Sequence, residues 1–404
     1  MDWLTIAVFV FVYAGMVLGG APGLALDRTG VALTGAIALL AAGRLGPHEA
    51  WAAVDVSTIA LLFALMIVSA QLRLGGFYTA VTRRLAAARV GPVALLGLVV
   101  AVAGGLSAVL ANDIVCLAMA PILAQGGIRR GLNPVPLLLG LACAANVGSA
   151  ATLIGNPQNM LIGQVMGLDF GAYLLAAGLP ALLGLGATWG IVALLYRGRW
   201  ATALPEPEVD APDFGAWQSA KGLAVLAALV GVFLWGGLGR EVAALLAAGV
   251  LLLSRRMASR STLALVDWQL LVLFIGLFVV NHAVAASGLM DTALAALRAL
   301  GLDPAAPARL FAATALLSNL VSNVPAVMLL LPLAQALPDP AQAGTLLALS
   351  STLAGNLIVV GSIANIIVID QAARLGIRIS WTEHARAGLP VTLTTLAIAW
   401  ALAG

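Results

Sequence analysis

The sequence predicts an all-α polytopic membrane protein. It predicts two inverted repeats, each of five transmembrane spans plus one re-entrant hairpin, with helices broken at the bilayer midplane. Three observations lead there. Sixty-two per cent of the 404 residues are hydrophobic and only 9% are charged, against about a quarter charged in soluble domains, and several apolar runs reach the roughly 18–20 residues that cross a bilayer. Residues 104–121 (GGLSAVLANDIVCLAMAP) find a match 211 positions later in 318–332 (SNLVSNVPAVMLLLP), which pairs Ser107 with Ser318, Asn112 with Asn323 and Pro121 with Pro332. Finally, the basic residues collect on one side of the spans, as cytoplasmic loops do. A β-barrel would need short alternating strands, and the sequence has none.

Taken in order, residues 3–24 form span 1, closed by Pro22 and Gly23, and the pair Asp27–Arg28 follows. Asp2 in place of a basic leader and the long apolar run make this a span rather than a cleaved signal. Residues 29–43 are span 2. Residues 55–74 are span 3, with Asp55 placed to cap its N-terminus. Residues 75–90 are too polar to span, but their apolar positions recur at helical spacing. They should lie along the interface with Arg83, Arg84 and Arg89 among the headgroups. The apolar run 91–125 follows, then Arg129–Arg130. Residues 134–163 are span 4, interrupted by Gly155-Asn156-Pro157. Residues 171–196 are span 5.

Residues 201–219 are acidic, Pro-rich and expected as a cytoplasmic linker between a first repeat (1–200) and a second (220–404). Spans 6 and 7 fall at 221–238 and 241–253. Span 8 falls at 267–286 and opens with VDWQLLVLF, as span 3 opens with VDVSTIALLF. A second interfacial stretch (288–306), a second polar-tipped run (307–335), span 9 (345–370) and span 10 complete the chain. VGSIANIIV in span 9 matches IGNPQNMLI in span 4.

Run 91–125 has arginines at both feet. Both feet should then be cytoplasmic, so the run enters and turns back near residues 110–113. Each half keeps five spans, an odd number, so the halves are inverted. With both termini periplasmic or external, 16 basic residues lie inside and only Arg44, Arg240, Arg298 and Arg309 outside.

The polar residues at midplane depth carry the chemistry. The tips are Asn112-Asp113 and Ser322-Asn323. The facing breaks run from Gly155 to Asn159 and from Gly361 to Asn365. A broken helix offers amides to an anion at one end and carbonyls to a cation at the other. Irregular backbone at this depth is tolerated only inside protein or around a cavity. Small polar residues also let helices approach one another, which accounts for a lone Ser or Thr but not for four aligned clusters. The candidate ligands are Asn112, Asp113, Ser149, Thr152, Gly155, Asn156, Asn159, Ser322, Asn323, Gly361, Ser362 and Asn365. A carboxylate in the membrane is a functional group by default, which makes Asp113 the candidate coupling residue, with a helix cap as the plainer alternative. Its partner position is Val324. His282 is a weaker relay candidate, and Asp267 and Asp370 read as caps or interface residues. No cofactor is expected, and H⁺ or Na⁺ is the expected coupling ion. Cys116 and Cys143 lack metal or redox spacing. Convergent titratable groups for an enzyme are missing, as is a nucleotide-binding loop. Partners are then the bilayer and a small anion, not nucleic acid.

LANDIVCLAMAPIL and LLSNLVSNVPAV resemble the two polar-tipped stretches of arsenite permeases, and IGNPQN is similar to a loop of the divalent anion/sodium symporters. The chain thus resembles the ion transporter superfamily over nearly its whole length. The resemblance implies a homodimer, a scaffold domain and a transport domain that moves as an elevator. It implies ligand roles for Asn112, Asn156, Asn159, Asn323, Ser362 and Asn365. The symporters carry Ser-Asn-Thr at both tips. Here the tips are Ala111-Asn112-Asp113 and Ser322-Asn323-Val324, which speaks against a dicarboxylate and two intact sodium sites. The reading is a secondary active transporter of a small anion or oxyanion acid, coupled to H⁺ or Na⁺ and expected in a bacterial inner membrane. Arsenite or antimonite efflux and cation/proton antiport using Asp113 are the alternatives.

The topology is testable by cysteine labelling. A cysteine at Arg309 should react with an impermeant reagent from outside and one at Arg130 should not. The reverse pattern would refute the inverted arrangement.

Overall fold

Each long apolar run becomes helix, because backbone N–H and C=O groups in hydrocarbon must be satisfied within the chain. The computed structural model describes residues 3–209, 211–289, 292 and 306–404. The first series of elements is α1 (Trp3–Leu18), a two-residue antiparallel pair β1 (Gly20–Ala21) and β2 (Leu26–Asp27), α2 (Arg28–Ala41), the short α3 (Pro47–Ala52), α4 (Val56–Leu74), α5 (Phe77–Ala86), α6 (Pro92–Val109), α7 (Asn112–Arg129), α8 (Pro134–Ser149), α9 (Pro157–Val165) and α10 (Phe170–Leu195). The second series is α11 (Ala216–Trp235), α12 (Arg240–Leu252), the short α13 (Ser259–Leu263), α14 (Trp268–Ala286), α15 (Pro307–Val321), α16 (Asn323–Gln335), α17 (Pro340–Ala354), α18 (Ile363–Arg374) and α19 (Trp381–Ala403). Among the described residues, six helices are long and apolar enough to cross a membrane: α4, α6, α10, α11, α14 and α19.

Several boundaries differ from the sequence expectation. Span 1 stops at Leu18 rather than residue 24, because Gly19 and Gly23 take positive φ and turn the chain into the β pair. The helix expected from residue 221 begins at Ala216, inside the stretch expected as linker. The first break opens earlier than Gly155, at Ala150, so Ser149 ends α8 and Thr152 lies within the break rather than before it. Arg298 and most of the second interfacial stretch, at 290–291 and 293–305, lie outside the described residues.

Acidic and amide side chains fix the helix starts. Asp55 accepts from the amide of Thr58 at 2.6 Å, as expected, and Asp267 accepts from that of Leu270 at 2.9 Å. Each satisfies one of the amides that a helix N-terminus leaves without a partner.

Packing separates two kinds of helix. All residues of α8 are buried, as is α17 from Ala343 onward. By contrast, α10 and α11 bury only 28% of their most apolar stretch and leave the rest for lipid. The central helices approach closely because they carry small residues. A Cβ on Gly148 of α8 would stand 2.2 Å from the carbonyl oxygen of Gly104 on α6. Around them, α2 packs on α14 and α12 packs on α4, so the outer helices of the two series interlock.

The 201–215 segment is strapped down rather than free. The amide of Asn133 donates to Trp200 at 2.7 Å, Gln125 Nε2 to the carbonyl of Pro207 at 2.9 Å, and the amide of Gly215 to Gly75 at 2.9 Å. Arg129 Nε also donates to Glu206 at 2.9 Å, and this bond holds the Glu206 carboxyl below the usual range.

Gly148→Ala should therefore lower the thermal midpoint in detergent, since the clash is with backbone and overpacking costs about 1–3 kcal/mol. Gly105→Ala, whose Cβ would meet nothing within 4 Å, should leave it unchanged. Equal midpoints for the two variants would show that α6 and α8 do not meet this closely.

Candidate functional site

The first tip is a two-residue turn. Leu110 and Ala111 leave helical geometry between α6 and α7, and Asn112 opens α7. The Asn112 amide donates to the carbonyl of Gly155 at 3.2 Å, which ties the tip to the break of its own series. The second tip turns on Ser322, at φ +74° the one non-glycine residue with positive φ among those described. A serine there holds a conformation that costs about 1–3 kcal/mol and persists where surrounding contacts impose it. With its side-chain amide turned so that the nitrogen faces the neighbouring acceptors, the orientation the hydrogen-bond network favours, Asn323 donates to the carbonyls of Ser351 and Gly361 at 3.0 and 3.2 Å. The carbonyls of Gly155 and Gly361 thus each accept from a tip asparagine.

Side-chain amides satisfy the backbone that the first break exposes. Asn156 Oδ1 caps α9 by accepting from the amide of Asn159 at 2.9 Å. Asn159 Nδ2 donates to the carbonyls of Thr152 (3.0 Å) and Ser149 (3.3 Å), and Asn156 Nδ2 to Ser149 Oγ at 2.9 Å. Thr152 Oγ1 donates to the carbonyl of Ala108 on α6. In the second break, Asn365 Nδ2 donates to the carbonyls of Gly355 (2.8 Å) and Ile358 (3.3 Å). Ser362 caps α18 by accepting from the amide of Ala364 at 3.2 Å. Gly155 has no room for a side chain: a Cβ would lie 2.4 Å from the Ser149 carbonyl oxygen and 2.7 Å from that of Ser107.

Two residues that the sequence reading missed join the series. Asn146, 1% exposed, accepts at Oδ1 from Asn112 Nδ2 (3.1 Å) and Ser362 Oγ (2.8 Å). Its Nδ2 donates to Asn356 Oδ1 (2.8 Å) and Asn365 Oδ1 (3.1 Å). Thr352, also 1% exposed, answers from the second series: its hydroxyl accepts from Asn156 Nδ2 and Gln158 Nε2, both at 3.1 Å, and donates to Asn159 Oδ1 at 3.2 Å. The sequence offset that carries Asn156 to Ser362 and Asn159 to Asn365 also carries Asn146 to Thr352. That offset was the available signal. Both residues hid inside apolar helices, a turn or more before the visible breaks.

Six of the expected residues line one small cavity of about 30 Å³: Asn112, Asp113, Asn156, Ser322, Asn323 and Ser362. Gln158, Val324 and Leu270 complete its wall with Pro157 and Ile363. The other six, Ser149, Thr152, Gly155, Asn159, Gly361 and Asn365, stand outside that lining and hold the wall in place. Asn112 Oδ1 is buried without a hydrogen-bond partner. Asp113 is not the cap of α7, a position taken by Ala111, and its carboxylate makes no hydrogen bond among the described residues. It also lines a second cavity of about 130 Å³ that reaches Arg73 and Asp267. His282 is exposed and lines neither cavity. Among the described residues no cluster of His, Cys, Asp or Glu could hold a metal.

The sequence pattern of the CitMHS citrate transporter family matches residues 8–353. The chain belongs to this family. It is 30% identical to an uncharacterized transporter of Mycobacterium tuberculosis, over 98% of this chain and 96% of that protein. A silicon efflux transporter of Oryza sativa is 29% identical over 95% of this chain and 93% of its own. A putative arsB transporter of Dictyostelium discoideum is 28% identical over 43% of this chain. Among solved structures, the YdaH transporter of Alcanivorax borkumensis superposes with a TM-score of 0.58 at 17% identity, covering 99% of this chain and 96% of that one, and so shares the fold. This citrate-family chain is an integral membrane transporter, as its relatives and its apolar helices show.

Asn146→Ala should strip a partner from four buried polar groups at once. A buried group left without its bond costs about 1–3 kcal/mol, so the thermal midpoint should fall further than for Thr352→Val, which removes three bonds. A midpoint equal to wild type would mean that Asn146 does not hold the two breaks together.

Proposed function

We propose that this citrate-family transporter is a secondary active carrier of a small weak oxyacid or its anion, coupled to H⁺ or Na⁺ through Asp113. The observation that carries this reading is the convergence of both tips and both breaks on one cavity of about 30 Å³. That is room for one or two water-sized groups, which suits a small inorganic oxyacid better than a tricarboxylate. The unpartnered Asn112 Oδ1 and the Asp113 carboxylate are acceptors. They match the O–H groups of a protonated oxyacid, or a cation bound beside its anion. The name of the rice relative, a silicon efflux transporter, points to the same class of solute.

Over the described residues both series close in the same order, with a hairpin, a broken helix and a long final helix. This order, with an odd number of crossings per series, supports the inverted arrangement. The hairpins and broken helices form the moving unit of an elevator. The scaffold is the interlocked group α1, α2, α4, α11, α12 and α14, which would also supply the dimer contact. Alternating access then carries the polar clasp across the bilayer without unmaking it.

Purified protein screened by thermal shift against arsenite, silicic acid, phosphate, sulfate, citrate, succinate and Na⁺ tests the solute class, because a ligand that binds only the folded state stabilises it by mass action. Stabilisation by arsenite or silicic acid is the expected result, and stabilisation by citrate alone would overturn it. Asn112→Ala and Asn323→Ala should each abolish uptake while leaving a folded protein. Asp113→Asn should keep solute binding but lose its dependence on pH or Na⁺, and an unchanged dependence would remove Asp113 from the coupling role.

A further inference from the structure

We infer that Asp267 is a proton-collecting residue that serves Asp113 from the Arg73 end of the molecule. The inference rests on the proposed coupling role of Asp113. Three features of the cavity carry it. Asp113 lines both the central cavity and the adjoining one of about 130 Å³, and Asp267 lines the second. That second volume has room for a file of water molecules, walled by apolar side chains such as Leu65, Met66, Ile114 and Leu270. Asp113, Asp267 and Arg73 are the charged groups of its lining. Arg260, on the short helix just before Asp267, does not line it. Arg73 also lines a further cavity of about 150 Å³, with Thr79, Pro121 and Gln371.

Asp267 stands exposed at the start of α14, with one oxygen spent on capping Leu270 and no other hydrogen bond among the described residues. Its second oxygen is open to water. Without this carboxylate, the charge at the outer end of the cavity would be the Arg73 guanidinium alone, which repels hydronium. With it, the entrance is neutral and holds a proton acceptor, whereas a cleft lined by one sign of charge alone changes encounter rates by about 10–1,000-fold. Each transfer conserves charge. Protonated Asp267 breaks its O–H bond to a cavity water, and that water passes a proton to the Asp113 carboxylate, which forms the new O–H bond. Asp267, again a carboxylate, takes its next proton from bulk water. Release from Asp113 runs the same steps backward.

The fold supplies its own control. Asp55 opens α4 as Asp267 opens α14, with the same cap geometry, and lines neither cavity. Asparagine caps a helix as well as aspartate does but does not titrate. The test follows the protonated-carboxyl infrared band of the purified full chain after a pH jump, without any solute. Asp113→Asn should remove the band. Asp267→Asn should keep it but slow its appearance by about tenfold or more, Asp267→Glu should restore the rate, and Asp55→Asn should match wild type. A wild-type rate in Asp267→Asn, or an equal slowing in Asp55→Asn, would overturn the relay while leaving Asp113 as the coupling group. A band that survives Asp113→Asn unchanged would overturn both.

Discussion

A backbone amide or carbonyl without a partner in hydrocarbon costs several kcal/mol, and this chain interrupts its helices at four places within its buried centre. Most of its architecture answers that cost. Asn156, Asn159, Asn323 and Asn365 turn their side chains onto the carbonyls and amides that the interruptions expose. Each of these amides serves as a substitute for a missing helical bond. Asn156 and Asn323 do this while lining the central cavity, and Asn159 and Asn365 do it from behind that lining.

The clasp has a definite logic. Within each series, the hairpin tip is bonded to its own break, through Gly155 in the first and Gly361 in the second. Between the series, Asn146 reaches forward to Asn356, Ser362 and Asn365, while Thr352 reaches back to Asn156, Gln158 and Asn159. A network in which nearly every member is satisfied resists partial opening, because any one broken bond strands another buried group. Such a unit is suited to move as a whole. Two of the groups without a hydrogen-bond partner, Asn112 Oδ1 and the Asp113 carboxylate, belong to residues that line the cavity.

The chemical asymmetry of the tips follows from the same geometry. Asp113 and Val324 occupy equivalent places beside one cavity, and one is a carboxylate where the other is apolar. A pair of carboxylates there would repel each other, and a pair of valines would leave nothing to titrate. The single acid leaves these two equivalent places chemically unlike, and it also lines a second cavity.

Much of this was legible in the sequence because hydrocarbon leaves few options. Apolar runs had to be helices, and Asp55 and Asp267 were placed to start two of them. Gly-Asn-Pro had to break one, and asparagines at midplane depth had to find partners. The paired tips and breaks could be read from their matching spacing. What the sequence could not show was which apolar helix faces lipid and which faces protein, since both solvents select the same side chains. The wholly buried α8 and the lipid-facing α10 have similar composition, and Asn146 and Thr352 were concealed for that reason. Nor could it show that the Gly155 and Gly361 carbonyls accept from the tip asparagines, or that Asp113 and Asp267, 154 positions apart, share a cavity. Those relations depend on which helices touch. Close packing of small residues decides that in three dimensions, and no local pattern along the chain encodes it.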